Sequence, residues 1–309
     1  MSKKLHITNG DVFTQSILDF NLGGEIITWK EMLCEGPTSY LLGTPEFIKL
    51  RTNFLNEFYS ISPTQYKKQF LSELNRLTAL TDYTEVILWF EFDLFSHINM
   101  LAAISHLMEN KVKVPFYLVC SRKLKGEKEF NPLSKLSDKD LKNHYDNRIL
   151  LDQEDLETAN LIWQLYNEDN PQKLKGLIKR NTNFEYLSSC IRAHIERFPN
   201  SRTGLNALEK NVLNLIQKNS ITSINQLMGY AMEYQGYFGY GHRQIERLLH
   251  KLEAFYKFED NKIVLSAEGV QAIEGTKNFY RQLKNDDYLG GVKMYDFLYD
   301  SQSHNILKL

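Results

Sequence analysis

The sequence predicts an α/β protein: a Rossmann-like, doubly wound and mostly parallel sheet, followed by a helical connector and a C-terminal winged-helix-like α+β domain. Three observations support this prediction. Strand-like and helix-like patterns alternate over the first half of the chain, as in βαβ units. Residues 86–90 are apolar at every position, as in a parallel strand that helices cover on both faces. Near the C-terminus, three helical patterns precede two short β-rich runs, which is the order of a winged helix.

The first βα unit is predicted at residues 5–20. Residues 5–8 form a strand, Asn9-Gly10 a turn, and residues 11–20 a helix. Residues 25–29 are rich in β-formers and predict a second strand, which a loop ending in Glu-Gly-Pro follows. The helices predicted over 45–59 and 63–80 both begin with proline, which the first helical turn tolerates because its N–H needs no partner.

The third strand, at residues 86–90, is predicted to be central. A helix over 94–108 and a fourth strand over 114–119 follow it. Residues 121–138 are polar and lysine-rich, which is typical of an exposed excursion, and residues 148–151 are a candidate fifth strand. This order of elements predicts a domain over residues 1–151.

Helical periodicity continues over residues 152–200, which we interpret as a helical connector or cap. Pro199-Asn200-Ser201 interrupts it, and a winged-helix-like domain is predicted over residues 201–285. Its three helices are expected at 207–218, 223–234 and 242–252, and its β-runs at 255–258 and 262–265. Residues 286–309 are predicted to form a β-hairpin tail.

Composition limits the compartment and the partners. The 309 residues suffice for two or three structural units. A net charge of -1 gives no overall attraction to nucleic acid or to an anionic membrane. Three cysteines without a Cys-x-x-Cys spacing argue against a disulfide framework or a zinc knot. The sequence has neither a signal-peptide pattern nor an apolar run long enough for a membrane helix. A soluble, cytoplasmic protein is the expectation.

Several motifs together resemble a known bacterial family. They are Leu5-His-Ile-Thr-Asn-Gly-Asp11, Trp29-Lys-Glu-Met-Leu-Cys-Glu-Gly-Pro37, Trp89-Phe-Glu-Phe-Asp-Leu-Phe95, Arg192-Ala-His-Ile-Glu-Arg-Phe-Pro199, Arg202-Thr-Gly-Leu205 and Tyr288-Leu-Gly-Gly-Val292. The chain resembles, over most of its length, the family catalogued as domain of unknown function 1835. The resemblance groups Asn9, Asp11, Trp29, Glu35, Glu91 and Asp93 in one site without implying an activity. The chain departs from the family at Cys34 and Phe92, where relatives have His, and at Ser96-His97, where they have Asp-Gln; this implies an altered member.

Four carboxylates follow predicted strands at the edge where open α/β sheets bind ligands: Asp11, Glu35, Glu91 and Asp93. Crowded carboxylates repel one another unless a cation neutralises them, and Mg²⁺ prefers oxygen ligands. One hypothesis is therefore that Asp11, Glu91 and Asp93 bind a divalent metal. Glu91 and Glu35 would be the catalytic residues, as in metal-assisted phosphoryl chemistry.

Each of these residues also has a structural interpretation. Asp11 and Asp93 precede helical patterns and suit N-caps. Glu91 suits an ion pair with a nearby Lys or Arg. Asn9 and Trp29 are candidate ligand-binding residues at the same strand ends, although a tryptophan there is also typical of a core.

Two further groups are candidates for binding phosphates. Arg192 and His194 precede the Phe198-Pro199 break and are candidate contacts for a ligand phosphate, the alternative being surface charge on an amphipathic helix. In the predicted third helix of the winged helix, Arg243, Arg247 and Lys251 form a basic ridge opposite the apolar stripe. Such a ridge is a candidate nucleic-acid contact, although many winged helices bind only protein. The Tyr/Gly-rich residues 230–241 are interpreted as a turn that fills the space before this helix.

Two functional classes follow. The first is a Mg²⁺-dependent, hydrolytic enzyme whose site binds a phosphorylated or nucleotide ligand. The chain has no Gly-x-Gly-x-x-Gly, Walker or Gly-x-Ser-x-Gly motif, so neither a common dinucleotide site nor a serine hydrolase is expected. The alternative is a non-enzymatic, ligand-sensing regulator or adaptor whose winged helix binds DNA or protein.

Overall fold

The computed structural model describes residues 3–121 and 131–309. The N-terminal part contains the following elements: β1 (Lys4–Asn9), α1 (Asp11–Asp19), β2 (Glu25–Trp29), β3 (Gly36–Pro37), α2 (Pro45–Tyr59), α3 (Pro63–Tyr66), α4 (Ser72–Ala79), β4 (Glu85–Phe90), α5 (Leu94–Glu109), β5 (Phe116–Cys120), α6 (Asp138–Asp146) and β6 (Ile149–Leu151). A π-helical stretch, Lys67–Leu71, joins α3 to α4, so the predicted helix over 63–80 is not regular.

The remainder of the chain is mainly helical, with short strands. Its elements are α7 (Gln153–Tyr166), α8 (Gln172–Lys175), α9 (Leu187–Ile195), α10 (Ala207–Lys218), α11 (Ile224–Glu233), α12 (His242–Lys251), β7 (Tyr256–Glu259), β8 (Lys262–Leu265), α13 (Ala267–Glu274), α14 (Tyr280–Leu283), β9 (Tyr288–Gly290), β10 (Val292–Lys293), β11 (Phe297–Asp300) and β12 (Asn305–Lys308).

A five-stranded sheet has the order β2-β1-β4-β5-β6. The first four strands are parallel, and β6 runs antiparallel to β5. Side chains of β4 alternate between two apolar clusters: Val86, Leu88 and Phe90 lie in the larger one, Ile87 and Trp89 in the other. Because successive side chains of a strand point to opposite faces, both faces of the sheet are covered. The prediction of an α/β protein with a mostly parallel sheet is confirmed.

The C-terminal third has three helices, α10 to α12, followed by the antiparallel pair β7–β8. Ile221, between α10 and α11, forms an antiparallel bridge to Ile263 of β8. Helix α13 was not predicted, although Ser266 caps it by accepting a hydrogen bond from the backbone N–H of Gly269. Serine before a helical pattern is a signal that the sequence does contain.

The tail is not an independent hairpin. Its strands β11 and β12 form an antiparallel pair, but β9 pairs in parallel with β3, which lies in the loop after β2. The end of the chain therefore packs against the carboxyl edge of the large sheet. This pairing joins segments far apart in sequence, so local pattern carries no trace of it.

Part of the predicted excursion at residues 121–138 lies outside the described residues, namely 122–130. Its described end turns back to the sheet, where Leu133 is buried.

Within the described part of the chain, no helix is both long and apolar enough to cross a membrane. The three cysteines are buried and unpaired.

Burial keeps two histidines of the sheet region neutral. His6 Nδ1 accepts a hydrogen bond from the Trp89 indole at 3.0 Å, and Nε2 lies 3.0 Å from the Gly23 carbonyl. Because an indole N–H only donates, Nδ1 of His6 is unprotonated. Burial lowers the pKa of His6, and likewise that of His97, to about 4.

This burial makes stability depend on pH. Between about pH 6.5 and 4 the unfolded chain binds these protons more readily than the folded protein, so stability falls as the pH falls. From pH 7 to pH 5 we expect each histidine to cost about 2 kcal/mol. Urea denaturation at the two pH values measures the loss. Burial also lowers the pKa of His106 and His194, so His6→Gln should remove about a quarter of the histidine contribution, whereas His250→Gln, at an exposed helix end, should leave it unchanged. An unaltered pH dependence in His6→Gln contradicts the assignment.

Candidate functional site

The Glu91 carboxylate at the end of β4 holds the chain that returns to the sheet. Its Oε2 accepts hydrogen bonds from Ser121 Oγ at 2.5 Å and from the Leu133 N–H at 3.1 Å. Its Oε1 accepts from the Ser134 N–H at 3.2 Å. Neither the predicted ion pair nor a metal role is needed to explain these contacts. In the described residues Glu91 is an anchor for the segment after residue 130.

Asp93 is the N-cap of α5, as its alternative interpretation predicted. Its Oδ1 accepts a hydrogen bond from the Ser96 N–H at 2.7 Å. The pKa of Asp93 is raised to about 6, mainly by burial; the Ser96 N–H acts in the opposite direction, and the nearby Glu91 carboxylate adds to the rise.

The Tyr/Gly-rich loop closes the N-terminus of α5. The Leu94 N–H donates to the Tyr237 carbonyl at 2.7 Å, and the Phe95 N–H donates to the Phe238 carbonyl at 3.2 Å. Together with Asp93, the loop therefore satisfies the first N–H groups of the helix, which are the groups that bind an anion elsewhere. These N–H groups are therefore not free to bind a ligand. The loop does more than fill the space before α12.

The other strand-end residues have separate partners. Asp11 is not the N-cap of α1, a position that Gly10 occupies; its exposed carboxylate pairs with Lys30 at 2.5 Å. Asn9 donates to Ser96 and accepts from Asn99, both at 3.0 Å. Trp29 is 2% exposed and packs its ring edge-on against a phenylalanine in the core.

These placements do not assemble the predicted metal site. Among the residues that the structure describes, no group of three His, Cys, Asp or Glu side chains could hold a metal ion. Asp11 lies at the surface, Asp93 caps a helix and Glu91 accepts three hydrogen bonds. The described contacts therefore do not bring the proposed Mg²⁺ ligands together, and the metal stays a prediction.

The loop after β2 is held by a fully buried ion pair. Arg51 and Glu31 form two hydrogen bonds, of 2.9 and 2.8 Å, with both side chains 0% exposed. The Arg51 guanidinium also donates to the carbonyls of Met32, Glu35 and Pro37, and Tyr66 donates to Glu31 at 2.8 Å. Neither Arg51 nor Glu31 was predicted to matter. An Arg within a helical pattern gives no sign of burial.

Glu35 lies beside α12, and this position overturns the predicted basic ridge. Arg247 bonds Glu35 at 2.5 Å with one guanidinium nitrogen and Asp287 with the other. Arg243 donates to the backbone carbonyl of Tyr59, and Lys251 pairs with Glu209 at 2.6 Å. Arg247 and Lys251 are partly buried, because the loop after β2 and the tail pack against this face of α12, whereas Arg243 is exposed at the end of α2. Two of the three basic groups are thus paired with carboxylates within the chain, and only Arg243 has no carboxylate partner among the described residues.

The turn that follows α9 contains an arginine that the prediction missed. Arg197 is 2% exposed. Its guanidinium donates to the Cys34 carbonyl, to His194 Nδ1 at 2.5 Å and to the Tyr240 hydroxyl at 3.4 Å, while its Nε has no hydrogen-bond partner in the part of the chain that the structure describes. His194, predicted to contact a phosphate, is instead buried, and burial lowers its pKa well below the usual range, with Arg197 adding to the effect. His194 is therefore a neutral acceptor that supports Arg197.

A cavity of about 260 Å³ lies where the loop after β2, the end of α9, α12 and the tail meet. Its charged lining consists of Glu35, Glu209 and Asp287 and of Arg197, Arg247 and Lys251. Arg247 pairs with Glu35 and Asp287, and Lys251 pairs with Glu209. No carboxylate of the described residues pairs with Arg197. We call this space the Arg197 cavity.

Of the predicted site residues, only Glu35, Arg247 and Lys251 line the Arg197 cavity. Arg192 is exposed and faces a different groove, on the outer side of α9. Arg197 belongs to the same motif as Arg192 and His194, at a spacing of three from His194. Residues three apart on a helical turn lie on the same face. This spacing was therefore the signal in the sequence that could have linked Arg197 to His194.

Comparisons with known proteins give little further information. No protein-family model matches the chain, and no curated protein does. The resemblance to domain of unknown function 1835 therefore stays a prediction. Among solved structures, the DNA-binding, cleavage and re-ligation domain of Plasmodium falciparum topoisomerase II is similar with a TM-score of 0.45 and 12% identity. The match covers 84% of this chain and 43% of that one, and a similarity this low supports no statement on function.

Proposed function

We propose that this protein binds a small anionic ligand, a phosphate- or carboxylate-bearing metabolite, in the Arg197 cavity and acts as a ligand-sensing protein. One observation carries the proposal: Arg197 is buried beside a cavity and has no carboxylate partner among the described residues. An anion in the cavity would supply the missing charge.

The energetics favour such a ligand. Moving a charged group out of water costs several kcal/mol of free energy unless an opposite charge pairs with it. A carbonyl, a neutral imidazole and a hydroxyl give Arg197 hydrogen bonds but no negative charge. The guanidinium is planar and matches the two oxygens of a phosphate or carboxylate. The cavity, at about 260 Å³, is suited to a small metabolite, since drug-sized ligands usually occupy larger pockets.

The location of the cavity supports a sensing role. Its walls come from the loop after β2, from the end of α9, and from α12 and the tail. A ligand there would contact all of these parts at once and favour the conformation in which they are joined. We infer that residues 1–151 form a Rossmann-like domain and residues 201–285 a winged-helix-like one. The strand order with β4 at the centre and the sequence α10-α11-α12-β7-β8, with its Ile221–Ile263 bridge, support these two assignments.

The other functional hypotheses stay predictions. A Mg²⁺-dependent hydrolytic site would need Asp11, Glu91 and Asp93 to converge, and the described contacts use them separately. A DNA or protein contact through this face of α12 would depend on the exposed Arg243, because Arg247 and Lys251 pair with carboxylates within the chain.

Thermal and chemical denaturation with added anions tests the proposal. With inorganic phosphate, glycerol phosphate or malate as the probe, we expect at least one to stabilise the protein, by about 2.7 kcal/mol at about 100 times its Kd. Arg197→Met should abolish that stabilisation, because the thioether keeps the volume and removes the charge. Tyr240→Phe removes only the hydroxyl near the guanidinium and should weaken binding about threefold to tenfold.

Arg202→Met is the matched control. Arg202 is exposed and donates to backbone carbonyls near the end of α13, outside the cavity. It should bind the probe as the wild type does. Equal stabilisation of Arg197→Met and wild type would refute the proposal, and so would the absence of any effect of the three probes on the wild type.

A further inference from the structure

A second cavity lies on the outer side of α9. It has a volume of about 760 Å³ and is open to solvent on one side. Its walls are the segment from α8 to the 3-10 turn at Gly176–Lys179, the outward face of α9, and the loop between β11 and β12. We call it the α9 groove. None of its lining residues lines the Arg197 cavity.

The α9 groove is predominantly basic. Lys175, Lys179 and Arg192 line it, with His304 at the rim and Glu196 as the carboxylate. Lys175 Nζ is positioned by neutral groups, donating to Asn305 Oδ1 at 2.6 Å and to the Ser303 carbonyl at 3.3 Å. The described lining contains three lysine and arginine side chains and one glutamate. This excess of positive charge favours the binding of an anion.

Glu196 lies close enough to the basic side chains to interact with them. Burial raises its pKa, while His304 and Arg192 act in the opposite direction. Glu196 is the C-cap of α9, the helix that contains Arg192, whereas Lys175 and Lys179 belong to α8 and the 3-10 turn. The basic excess is largest on the side of the groove formed by α8 and the 3-10 turn.

The floor of the groove is apolar. Ile178, Ile195 and Tyr299 line it, and the Tyr299 hydroxyl lies 2.8 Å from His304 Nδ1. Small-molecule sites combine this type of lining with a few polar groups that fix the orientation of the ligand. The size is within the range of pockets that bind drug-sized ligands, which is roughly 300–1,000 Å³. A bare phosphate would leave most of this apolar surface uncovered.

We propose that the α9 groove binds a nucleoside phosphate, with the base on Ile178, Ile195 and Tyr299 and the phosphate on Lys179 and Arg192. An aromatic base is flat and apolar on its faces, so aliphatic and aromatic side chains hold it by stacking and dispersion. Arginine and lysine hold the phosphate through charge-assisted hydrogen bonds. The site is separate from the Arg197 cavity, and the proposal does not depend on the ligand proposed there.

Isothermal titration calorimetry of the full chain tests it with three probes: AMP, adenosine and inorganic phosphate. AMP would contact both the apolar floor and the basic side chains, whereas adenosine lacks the phosphate and inorganic phosphate lacks the base. We therefore expect AMP to bind at least about tenfold more tightly than either of them. The double variant Lys179→Gln/Arg192→Gln should weaken AMP binding by at least about tenfold. Both side chains are exposed, so the fold should tolerate the change, which circular dichroism verifies.

Lys173→Gln is the matched control, since Lys173 lies on the same helix as Lys175 but pairs with Glu168 at 2.7 Å, outside the groove. It should bind AMP as the wild type does. Undetectable AMP binding at millimolar concentration would overturn the proposal, as would equal affinity for adenosine and AMP. AMP binding that survives the double variant but is lost in Arg197→Met would also overturn it, because the nucleotide would then occupy the Arg197 cavity.

Discussion

Replacing Arg51 with Met is expected to destabilise the protein by about 3–5 kcal/mol, the range for one partner removed from a buried ion pair. The substitution leaves the Glu31 carboxylate buried, with Tyr66 and the Met32 N–H as donors but no positive charge beside it. It also removes three hydrogen bonds to carbonyls of the loop that contains Glu35. Urea denaturation at pH 7 measures the loss.

Two comparisons isolate the cause. In Arg51→Met/Glu31→Gln the stranded charge is gone, and part of the stability should return, because a neutral amide is less costly to bury than a carboxylate. Arg197→Met removes an equally buried arginine but strands no carboxylate, so its cost should be clearly smaller than that of Arg51→Met. If the two single variants lose the same stability, the charge left on Glu31 is not the reason.

Replacing Gly239 with Ala is expected to cost about 3 kcal/mol. The residue has a φ of 71°, a conformation that costs an L-residue about 1–2 kcal/mol. An added Cβ would also overlap the carboxyl group of Asp93, and displacement of that side chain loses the cap of α5, worth about 1 kcal/mol. Denaturation measures the total.

Gly236→Ala separates the two contributions. Gly236 is in the same loop with a φ of 67°, and an added Cβ there meets nothing within 4 Å. It should therefore show only the backbone cost, about 1–2 kcal/mol. Amide exchange at Leu94 and Phe95, whose N–H groups bond the loop, should accelerate in Gly239→Ala alone. Equal effects of the two variants would contradict the proposed closure of α5 by this loop.

The secondary structure of the large sheet could be predicted because its signals are local. Strand β4 is apolar at every position because helices cover both faces of the sheet. Helix α5 shows helical periodicity of its apolar residues, which the sequence alone reveals. Helix α13 and the pairing of β9 with β3 were missed for different reasons. The first had a cap that was overlooked, and the second joins strands too short to have a pattern.

The site was predicted less well, because side-chain direction depends on what packs against each element. The amphipathic pattern of α12 indicated correctly that Ile245, Leu248 and Leu249 are buried. It did not indicate that a second layer, the loop after β2 and the tail, covers the opposite face. Arg247 and Glu35 are separated by 212 positions, and no local pattern relates them.

By itself the sequence determined the strands and helices of the large sheet, its mostly parallel character and the position of Asp93 at the start of a helix, because hydrophobic periodicity and capping act within one or two turns of chain. Only the tertiary structure decided that Asp11, Glu91 and Asp93 are used separately, that Arg247 and Lys251 of α12 pair within the chain, and that Arg197 has no carboxylate partner among the described residues although it lies beside a cavity. Charges acquire partners through contacts between distant segments, and those contacts form only when the layers pack.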